Sequence, residues 1–163
     1  MMVCLAGLSA RGQTFVLQRQ ADSLSLLTLQ SREGHDVWRL PYPTYAFATG
    51  DVDGDGRCDA LVGVVKPTRY DRRMARRLVV FHETHGRVRP LWLGSRLSAE
   101  LYDFTFADGR VITLEQERDS SWFVAAYQWD HFGFVLTDYL QRDAERAKVM
   151  TFFEEMKKEN RIH

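Results

Sequence analysis

The sequence predicts an antiparallel all-β domain that ends in a helix, and two observations support this prediction. Ten short segments rich in β-branched and aromatic residues follow one another closely along the 163-residue chain, and no helical periodicity separates them. An apolar residue recurs every three to four positions only near the C-terminus. Because strands joined directly by turns form hairpins, we expect a meander and no crossover helices.

Short turns join the predicted strands. The dipeptide Asp108-Gly109 is the strongest hairpin signal in the chain, because an Asp-Gly pair suits a two-residue turn. Residues 21–22, 84–86 and 130–131 mark three further hairpins. The predicted strands span residues 14–20, 23–30, 45–50, 59–65, 77–83, 87–93, 101–107, 110–117, 121–129 and 132–140.

The hairpins repeat in groups of four strands. Residues 45–93 contain an inner and an outer hairpin, residues 101–140 contain another such pair, and residues 14–30 contain one hairpin alone. The chain therefore holds about two and a half four-stranded units of the kind that form β-propeller blades, whereas a closed propeller typically has about four to eight. We expect a propeller-like meander over residues 13–141, with a β-sandwich or barrel as the alternative.

The C-terminal segment, residues 142–163, predicts an amphipathic helix with Asp143 as its N-cap. Four apolar positions spaced i, i+3, i+4 and i+7 share one face of this helix. They are Val149, Phe152, Phe153 and Met156. We expect this face to dock on an open sheet and cover it; binding of a separate partner is the alternative.

Composition excludes several classes of protein. The 22 basic and 22 acidic residues balance, so no nucleic-acid partner is expected. No apolar run approaches the roughly 18 residues of a membrane-spanning helix. The two cysteines, Cys4 and Cys58, are too few to define a disulfide framework. We expect Cys58 to be a buried, inert thiol, and a Cys4–Cys58 disulfide is the alternative.

Residues 1–12 have features of an export-signal remnant. Residues 1–8 are apolar, and Ala10 and Gly12 form a small-x-small pattern before Gln13. A basic segment at the start is missing, and the alternative is that these residues form a first strand of the domain. We expect export to the periplasm or cell envelope, with a cytoplasmic location as the alternative.

The most informative segment is GDVDGDGRCDALVGVV, residues 50–65. Alternate carboxylates converging from one tight loop suit Ca²⁺, which prefers several oxygen ligands, better than Mg²⁺. The glycines at positions 54 and 56 reduce the steric cost of folding around an ion, whereas an EF-hand glutamate is replaced by Val62. A solvated turn is the alternative. The candidate ligands are Asp51, Asp53, Asp55 and Asp59 through their carboxylates and Arg57 through its carbonyl.

The stretch GDVDGDGRCDALVG resembles the core of FG-GAP/VCBS repeats, which occur in integrin-type β-propellers and many bacterial surface proteins. The resemblance is close over residues 45–65 and looser through residue 140; the Phe-Gly…Gly-Ala-Pro half is absent, and the motif occurs once. It implies the same five calcium ligands, a structural role for the ion, and binding elsewhere on the blade surface. The whole chain is also similar to small, single-motif exported bacterial proteins.

A second charged segment is KPTRYDRRMARR, residues 66–77, which we call the basic loop. It is a candidate anion site for phosphate, an acidic glycan or lipid head groups, and Tyr70 is available for stacking. A solvated loop between two strands is the alternative. Its basic residues are Lys66, Arg69, Arg72, Arg73, Arg76 and Arg77.

The sequence contains no P-loop, G-x-S-x-G elbow or HExxH zinc motif. We therefore expect a calcium-stabilised, non-catalytic binding or scaffold module of the bacterial cell envelope, whose partner is a protein or a glycan. The alternative is a carbohydrate-active hydrolase with a carboxylate pair from the acidic C-terminal half, where Glu115 and Glu117 lie two apart. A homo-oligomer that completes the sheet arrangement is a further alternative.

Overall fold

The structure, a computed structural model, describes residues 12–160 and the backbone of residues 3–5. The described residues form twelve strands and one helix, and the strands assemble into three antiparallel sheets of four strands each. None of these sheets closes into a barrel within the described part of the chain. The predicted all-β fold with a C-terminal helix is confirmed.

The first sheet contains one predicted hairpin, one strand within residues 1–12, where a first strand was the stated alternative, and one strand that the sequence did not indicate. In spatial order its strands are β1 (Val3–Leu5), β2 (Thr14–Ala21), β3 (Leu24–Gln30) and β4 (His35–Leu40). The predicted partial unit is therefore a complete four-stranded sheet. The backbone of β1 pairs with β2, but residues 1–2 and 6–11, on which the export-signal prediction also depends, lie outside the described residues.

The second sheet is one of the predicted four-stranded units. In spatial order its strands are β5 (Thr44–Gly50), β6 (Asp59–Lys66), β7 (Ala75–Thr84) and β8 (Arg87–Trp92). The central strand β6 is buried over its first six residues, as expected for a strand covered on both faces. The aspartate loop, residues 51–58, joins β5 to β6, and residues 67–74 join β6 to β7 at the opposite end of the sheet.

The first and second sheets share one hydrophobic core. The first sheet contributes Phe15, Leu17, Leu27, Leu29 and Leu40, and the second contributes Ala60, Val62, Val64, Val79, Phe81 and Val88. Two turns also meet, because a Cβ added at Gly86 would lie 2.8 Å from the carbonyl oxygen of Glu33. These contacts hold the two sheets against each other.

The third sheet is the other predicted four-stranded unit, followed by the helix. In spatial order its strands are β12 (Gly133–Gln141), β11 (Trp122–Asp130), β10 (Arg110–Gln116) and β9 (Glu100–Ala107), and the helix α1 spans Arg146–Glu159. Val149 and Phe153 of α1 are buried against this sheet, with Phe152 and Met156 partly buried beside them. The predicted docking of the helix is confirmed.

The helix begins later than predicted. Its N-cap is Glu145, whose side chain makes no capping hydrogen bond. Asp143 has a φ of 56°, which is a left-handed conformation, whereas an N-cap residue typically has an extended backbone. The predicted N-cap at Asp143 is therefore wrong, and residues 161–163 of the predicted helical segment lie outside the described residues.

The chain divides into two compact units, Met1–Ser95 and Arg96–His163. The first unit contains the first and second sheets, and the second unit contains the third sheet and α1. The sequence, in contrast, indicated a single β domain over residues 13–141. Among the described residues, no helix has the length and apolar content needed to cross a membrane.

Candidate functional site

The aspartate loop connects strand β5 to the buried central strand β6. Gly54 and Gly56 have φ values of 77° and 80°, and a Cβ at either position would meet nothing within 4 Å. Both positions therefore favour glycine because of their backbone conformation and not because of limited space, since residues other than glycine rarely adopt a positive φ. The two glycines turn the chain so that its carboxylates face one another.

Three of the four predicted carboxylate ligands converge. Asp51, Asp53 and Asp59 each place a carboxylate oxygen within 4.8 Å of the other two. A Ca²⁺ ion bound at 2.3–2.6 Å from each ligand would separate opposite oxygen ligands by roughly 5 Å. Asp59 is only 1% exposed, and the other two are half-buried. The spacing of this cluster therefore fits a single hard cation.

Backbone N–H groups orient all three of these carboxylates. Asp53 accepts a hydrogen bond from the N–H of Asp55 at 3.2 Å. Asp51 accepts hydrogen bonds from the N–H of Gly54 at 2.8 Å and of Gly56 at 2.9 Å. Asp59 accepts one from the N–H of Val52 at 2.8 Å. These bonds use part of the acceptor capacity of each carboxylate, since an ionised carboxylate offers about four lone-pair sites. Lone pairs therefore remain for a cation.

The electrostatics of the cluster favour a bound positive charge. Burial above all, together with the negative charges of Asp53, Asp55 and Asp51, raises the pKa of Asp59 to about 8, although the hydrogen bond from Val52 lowers it. A cation among these groups would have the opposite effect, because an opposite charge favours the ionised carboxylate. Asp59 is thus the residue whose ionisation depends most on a bound ion.

Asp55, the fourth predicted carboxylate ligand, is not part of this cluster. Asp55 accepts a hydrogen bond from the N–H of Arg57 at 2.7 Å, and its other oxygen lies 3.8 Å from Nε of Arg57. A terminal nitrogen of Arg57 lies 3.9 Å from the carboxylate of Glu83. The structure therefore groups three of the four predicted carboxylates, and the predicted role of the Arg57 carbonyl stays a prediction.

Glu83 is a buried carboxylate near this loop that the sequence did not single out. It lies on β7 and accepts hydrogen bonds from the N–H of Gly86 at 3.1 Å and from the hydroxyl of Ser31 at 3.3 Å. Together with Arg57 it lines a cavity of about 300 Å³. No local motif marks Glu83, because its partners come from a turn of the first sheet 52 residues away.

Cys58, which lies next to Asp59 in sequence, is the buried thiol that the sequence predicts. Cys58 is buried and free, and its burial raises the pKa of the thiol above its ordinary value. A thiol with a raised pKa forms little of the reactive thiolate at neutral pH. The prediction of a buried thiol is confirmed, and the alternative disulfide to Cys4 does not form.

Asp71 compensates part of the positive charge of the basic loop. Asp71 accepts hydrogen bonds from the guanidinium groups of Arg73, at 3.1 Å, and Arg77, at 2.8 Å. These two arginines lower the pKa of Asp71, with Arg73 the larger cause. Arg77 is only 7% exposed. Two of the six predicted anion-binding residues therefore bind a carboxylate of the loop itself.

The remaining predicted anion-binding residues lie near aromatic rings or in solvent. Lys66 lies over the ring of Tyr42 at 4.9 Å, and Arg76 lies over that of Tyr45 at 4.8 Å. Arg69 and Arg72 are exposed. The exposed cations of the basic loop that do not bind Asp71 are therefore Arg69 and Arg72.

Glu115 and Glu117, in the third sheet, have separate roles. Glu115 is fully buried and accepts hydrogen bonds from the N–H of Ala99 at 2.7 Å, the Thr113 hydroxyl at 2.6 Å and the Tyr127 hydroxyl at 2.7 Å. Burial, and then the charge of Glu115, raise the pKa of Tyr127. Glu117 pairs with Arg142 at 2.9 Å. Glu115 is therefore a structural carboxylate.

A cavity of about 410 Å³ lies at one end of the third sheet. Three of its lining residues are the acids Glu100, Glu117 and Asp119, and the aromatic ring of Tyr139 also lines it. The pKa of Asp119 is lowered, first by the hydroxyl of Ser121. These three acids make the cavity a candidate location for the carboxylate pair that a hydrolase would need.

Comparisons with known proteins identify no relative of this chain: no family model, curated protein or solved structure matches it.

Proposed function

We propose that the chain is a non-catalytic binding or scaffold module whose first unit is stabilised by Ca²⁺ in the aspartate loop. The observation that carries this proposal is the buried carboxylate of Asp59, with oxygens of Asp51 and Asp53 within 4.8 Å of it. A buried charge needs compensation. The described residues of the loop supply carboxylates for a cation, and the resemblance to FG-GAP/VCBS repeats supports calcium as its identity.

The donor set favours Ca²⁺ over Mg²⁺. Mg²⁺ keeps several water ligands and is usually bound through one or two carboxylates, whereas Ca²⁺ accepts six to eight oxygen ligands in flexible geometry. The loop offers three convergent carboxylates.

The proposed role of the ion is structural. Asp59 is the first residue of β6 and pairs with Gly50, the last residue of β5. A cation bound to Asp59 and Asp51 would fix both ends of the loop and, with them, the register of these two strands. The ion would therefore stabilise the strand at the centre of the second sheet.

The propeller-like character of the fold is part of this proposal. Three consecutive antiparallel sheets of four strands support it, and so does the shared core between the first two. Three blades are fewer than the roughly four of the smallest closed propellers. A complete ring would require blades from a second copy or from additional chain.

An exported location agrees with the proposed metal. Calcium sites of extracellular modules have dissociation constants of about 10⁻⁴ to 10⁻³ M, which is a range that three carboxylates in an open loop can reach. We therefore propose that the module works in the bacterial cell envelope and binds a protein or a glycan there. The basic loop is the surface that we assign to binding.

Thermal unfolding with and without calcium tests the metal proposal. We expect the Tm of the full chain to rise with millimolar Ca²⁺ and to fall with a chelator, and Asp51→Asn and Asp59→Asn to remove this response. Asp108→Asn is the matched control, because Asp108 is exposed in a turn of the other unit. A Tm that is indifferent to both calcium and chelator contradicts the proposal.

A carbohydrate-active hydrolase is the second candidate function, supported by the carboxylates around the cavity in the third sheet. The pKa of Asp119 is lowered, which disfavours it as a general acid, and Glu117 is paired with Arg142. Glu100, the third acid that lines the cavity, is therefore the residue to test. Incubation with a panel of polysaccharides, comparing the native chain with Glu100→Gln, tests this function. Absence of reducing-sugar release from the folded protein would exclude it for those substrates.

A further inference from the structure

The basic loop is held in shape by its own hydrogen bonds. The N–H of Thr68 donates to the carbonyl of Asp71 at 2.8 Å, and the N–H of Asp71 donates back to the hydroxyl of Thr68 at 3.0 Å. The carboxylate of Asp71 also binds Arg73 and Arg77. The carboxylate of Asp71 is thus bound to Arg77 of β7. Tyr70 is one of the two central residues of the turn that the Thr68–Asp71 hydrogen bond closes.

The outer side of the loop combines cations with exposed apolar side chains. Tyr70 is 87% exposed and Met74 is 63% exposed, and Arg69 and Arg72 beside them are exposed as well. Two large apolar side chains exposed beside cations in one loop mark an interaction surface.

This combination indicates the chemistry of the partner. A nucleic acid or an acidic glycan would use the cations and could stack on Tyr70, but an exposed Met74 adds little to the binding of either. An anionic bilayer uses both kinds of group, because cations bind its head groups and tyrosine and aliphatic side chains enter its interfacial region. The loop has six basic residues and one acidic residue over residues 66–77. Arg69 and Arg72 are the exposed cations that do not bind Asp71, and they supply the complementary charge.

We propose that the basic loop docks the protein peripherally on an anionic lipid surface, with Tyr70 and Met74 entering the interfacial region and Arg69 and Arg72 binding head groups. This inference rests on the proposed function of a binding module, and it assigns an anionic lipid surface to the basic loop in place of the protein or glycan partner. The loop lies at the opposite end of β6 from the aspartate loop, which is roughly 26 Å for an eight-residue strand. Lipid binding and calcium binding can therefore be tested separately.

Co-sedimentation of the full chain with vesicles tests the proposal. We expect binding to phosphatidylcholine vesicles that contain about 30 mol% phosphatidylserine, weak binding to pure phosphatidylcholine, and a loss of binding as salt rises. Each cation removed near an anionic surface should weaken partition about five-fold, so Arg69→Ala/Arg72→Ala should lose roughly 25-fold. Arg118→Ala/Lys148→Ala, which removes two exposed cations from the other unit, should keep native binding.

A second variant separates a bilayer from other anions. Tyr70→Ser/Met74→Ser leaves the charge unchanged, and we expect it to lose vesicle binding about ten-fold or more, since the exposed apolar area is what enters the interface. Far-UV circular dichroism and the Tm show whether each variant is folded. Retention of vesicle binding by this folded variant overturns the proposal, and so does equal competition by heparin or by inorganic phosphate at the same charge concentration.

The calcium experiment distinguishes the two proposals. Vesicle binding together with a Tm indifferent to calcium supports lipid docking and contradicts the metal proposal. A Tm that responds to calcium, without binding of the folded protein to phosphatidylserine vesicles, overturns lipid docking and leaves the calcium-stabilised module in place.

Discussion

The carboxylate of Asp59 accepts a hydrogen bond from the backbone N–H of Val52 at 2.8 Å, across the seven residues that separate them. This bond joins the two ends of the aspartate loop, so Asp59 closes the loop as well as contributing to the candidate metal cluster. An asparagine in its place can accept the same hydrogen bond through its amide oxygen without bearing charge. Asp59→Asn therefore separates the charge of this residue from its role in closing the loop.

The first prediction concerns the pH dependence of the calcium-free protein. The pKa of Asp59 is about 8 in the folded chain and 3.8 in the reference state, so between these values the folded protein binds a proton that the unfolded chain has released. The free energy of unfolding should fall as pH rises from about 4 to about 8, by up to roughly 1.4 kcal/mol per pH unit.

Urea denaturation of the native chain and Asp59→Asn, in chelator at several pH values between 5 and 8, measures this effect. Because the asparagine has no proton to lose, the variant should show a shallower slope and, near pH 8, a higher free energy of unfolding than the native chain. Parallel slopes in the two proteins would contradict the burial of an ionisable Asp59.

The second prediction is that calcium binding releases protons. Because Asp59 is mostly protonated at pH 7 in the folded protein and a metal ligand must be ionised, each bound ion should displace about one proton. Isothermal titration calorimetry in two buffers of different ionisation enthalpy measures the number released. The apparent affinity should rise with pH until about pH 8 and then become constant, and no buffer dependence at pH 7 would contradict this coupling.

The strands of the second and third sheets could be predicted from the sequence, whereas strand β4 could not. The predicted strands of those two sheets alternate or run apolar between clear turns. In contrast, β4 begins with His35 and Asp36 and has exposed residues at alternate positions. Asp36 accepts a hydrogen bond from the N–H of Val88 on β8, 52 residues away. Strand β4 is held in the fold by contacts between residues far apart in sequence. A pattern of neighbouring residues cannot reveal such contacts.

The same distinction applies to the candidate site. The spacing of Asp51, Asp53 and Asp59 in one loop was enough to predict their convergence. The position of Asp55 depends on Arg57, which lies close both to it and to Glu83 on another strand. Asp55 therefore lies outside the cluster beside a partner within the loop, whereas Glu83 was missed because one of its partners, Ser31, lies 52 residues away.

The third prediction concerns the buried carboxylate of the third sheet. Glu115→Ala would leave the N–H of Ala99 without its acceptor. It would also remove one acceptor from the hydroxyls of Thr113 and Tyr127, which keep the Ala125 carbonyl and the Ser98 hydroxyl within reach. Buried donors that lose a partner cost about 1–3 kcal/mol, and we expect a total loss of roughly 2–4 kcal/mol in the free energy of unfolding. Glu115→Gln, which keeps one acceptor oxygen, should lose less.

Chemical denaturation followed by circular dichroism measures these losses, with Glu154→Ala on the exposed side of α1 as the control. If Glu115→Ala costs no more than the control, Glu115 is not the centre of a structural network. In that case a role for this carboxylate in binding or catalysis would have to be considered again.

The fourth prediction concerns the docking of α1. Phe153 is fully buried against the third sheet, whereas Phe152, next to it in sequence, is only partly buried. Replacement of a buried phenylalanine by alanine costs about 3–5 kcal/mol. Phe153→Ala should therefore destabilise the second unit by this amount and expose α1 to proteases, and Phe152→Ala, the matched control, should have a smaller effect. Limited proteolysis with identification of the cleavage sites measures both, and equal sensitivity of the two variants would contradict the described packing.

The last prediction tests the contact between the first two sheets. Gly86 has a φ of 72°, and a Cβ there would lie 2.8 Å from the carbonyl oxygen of Glu33. Gly54 has nearly the same φ, 77°, but a Cβ there would meet nothing within 4 Å. Both alanine variants should lose about 1 kcal/mol through backbone strain, and Gly86→Ala should lose a further 1–3 kcal/mol through the steric contact. Denaturation of both variants in chelator, which removes any effect of metal on Gly54→Ala, measures the difference; equal losses would mean that the turn of residues 31–34 does not lie against Gly86.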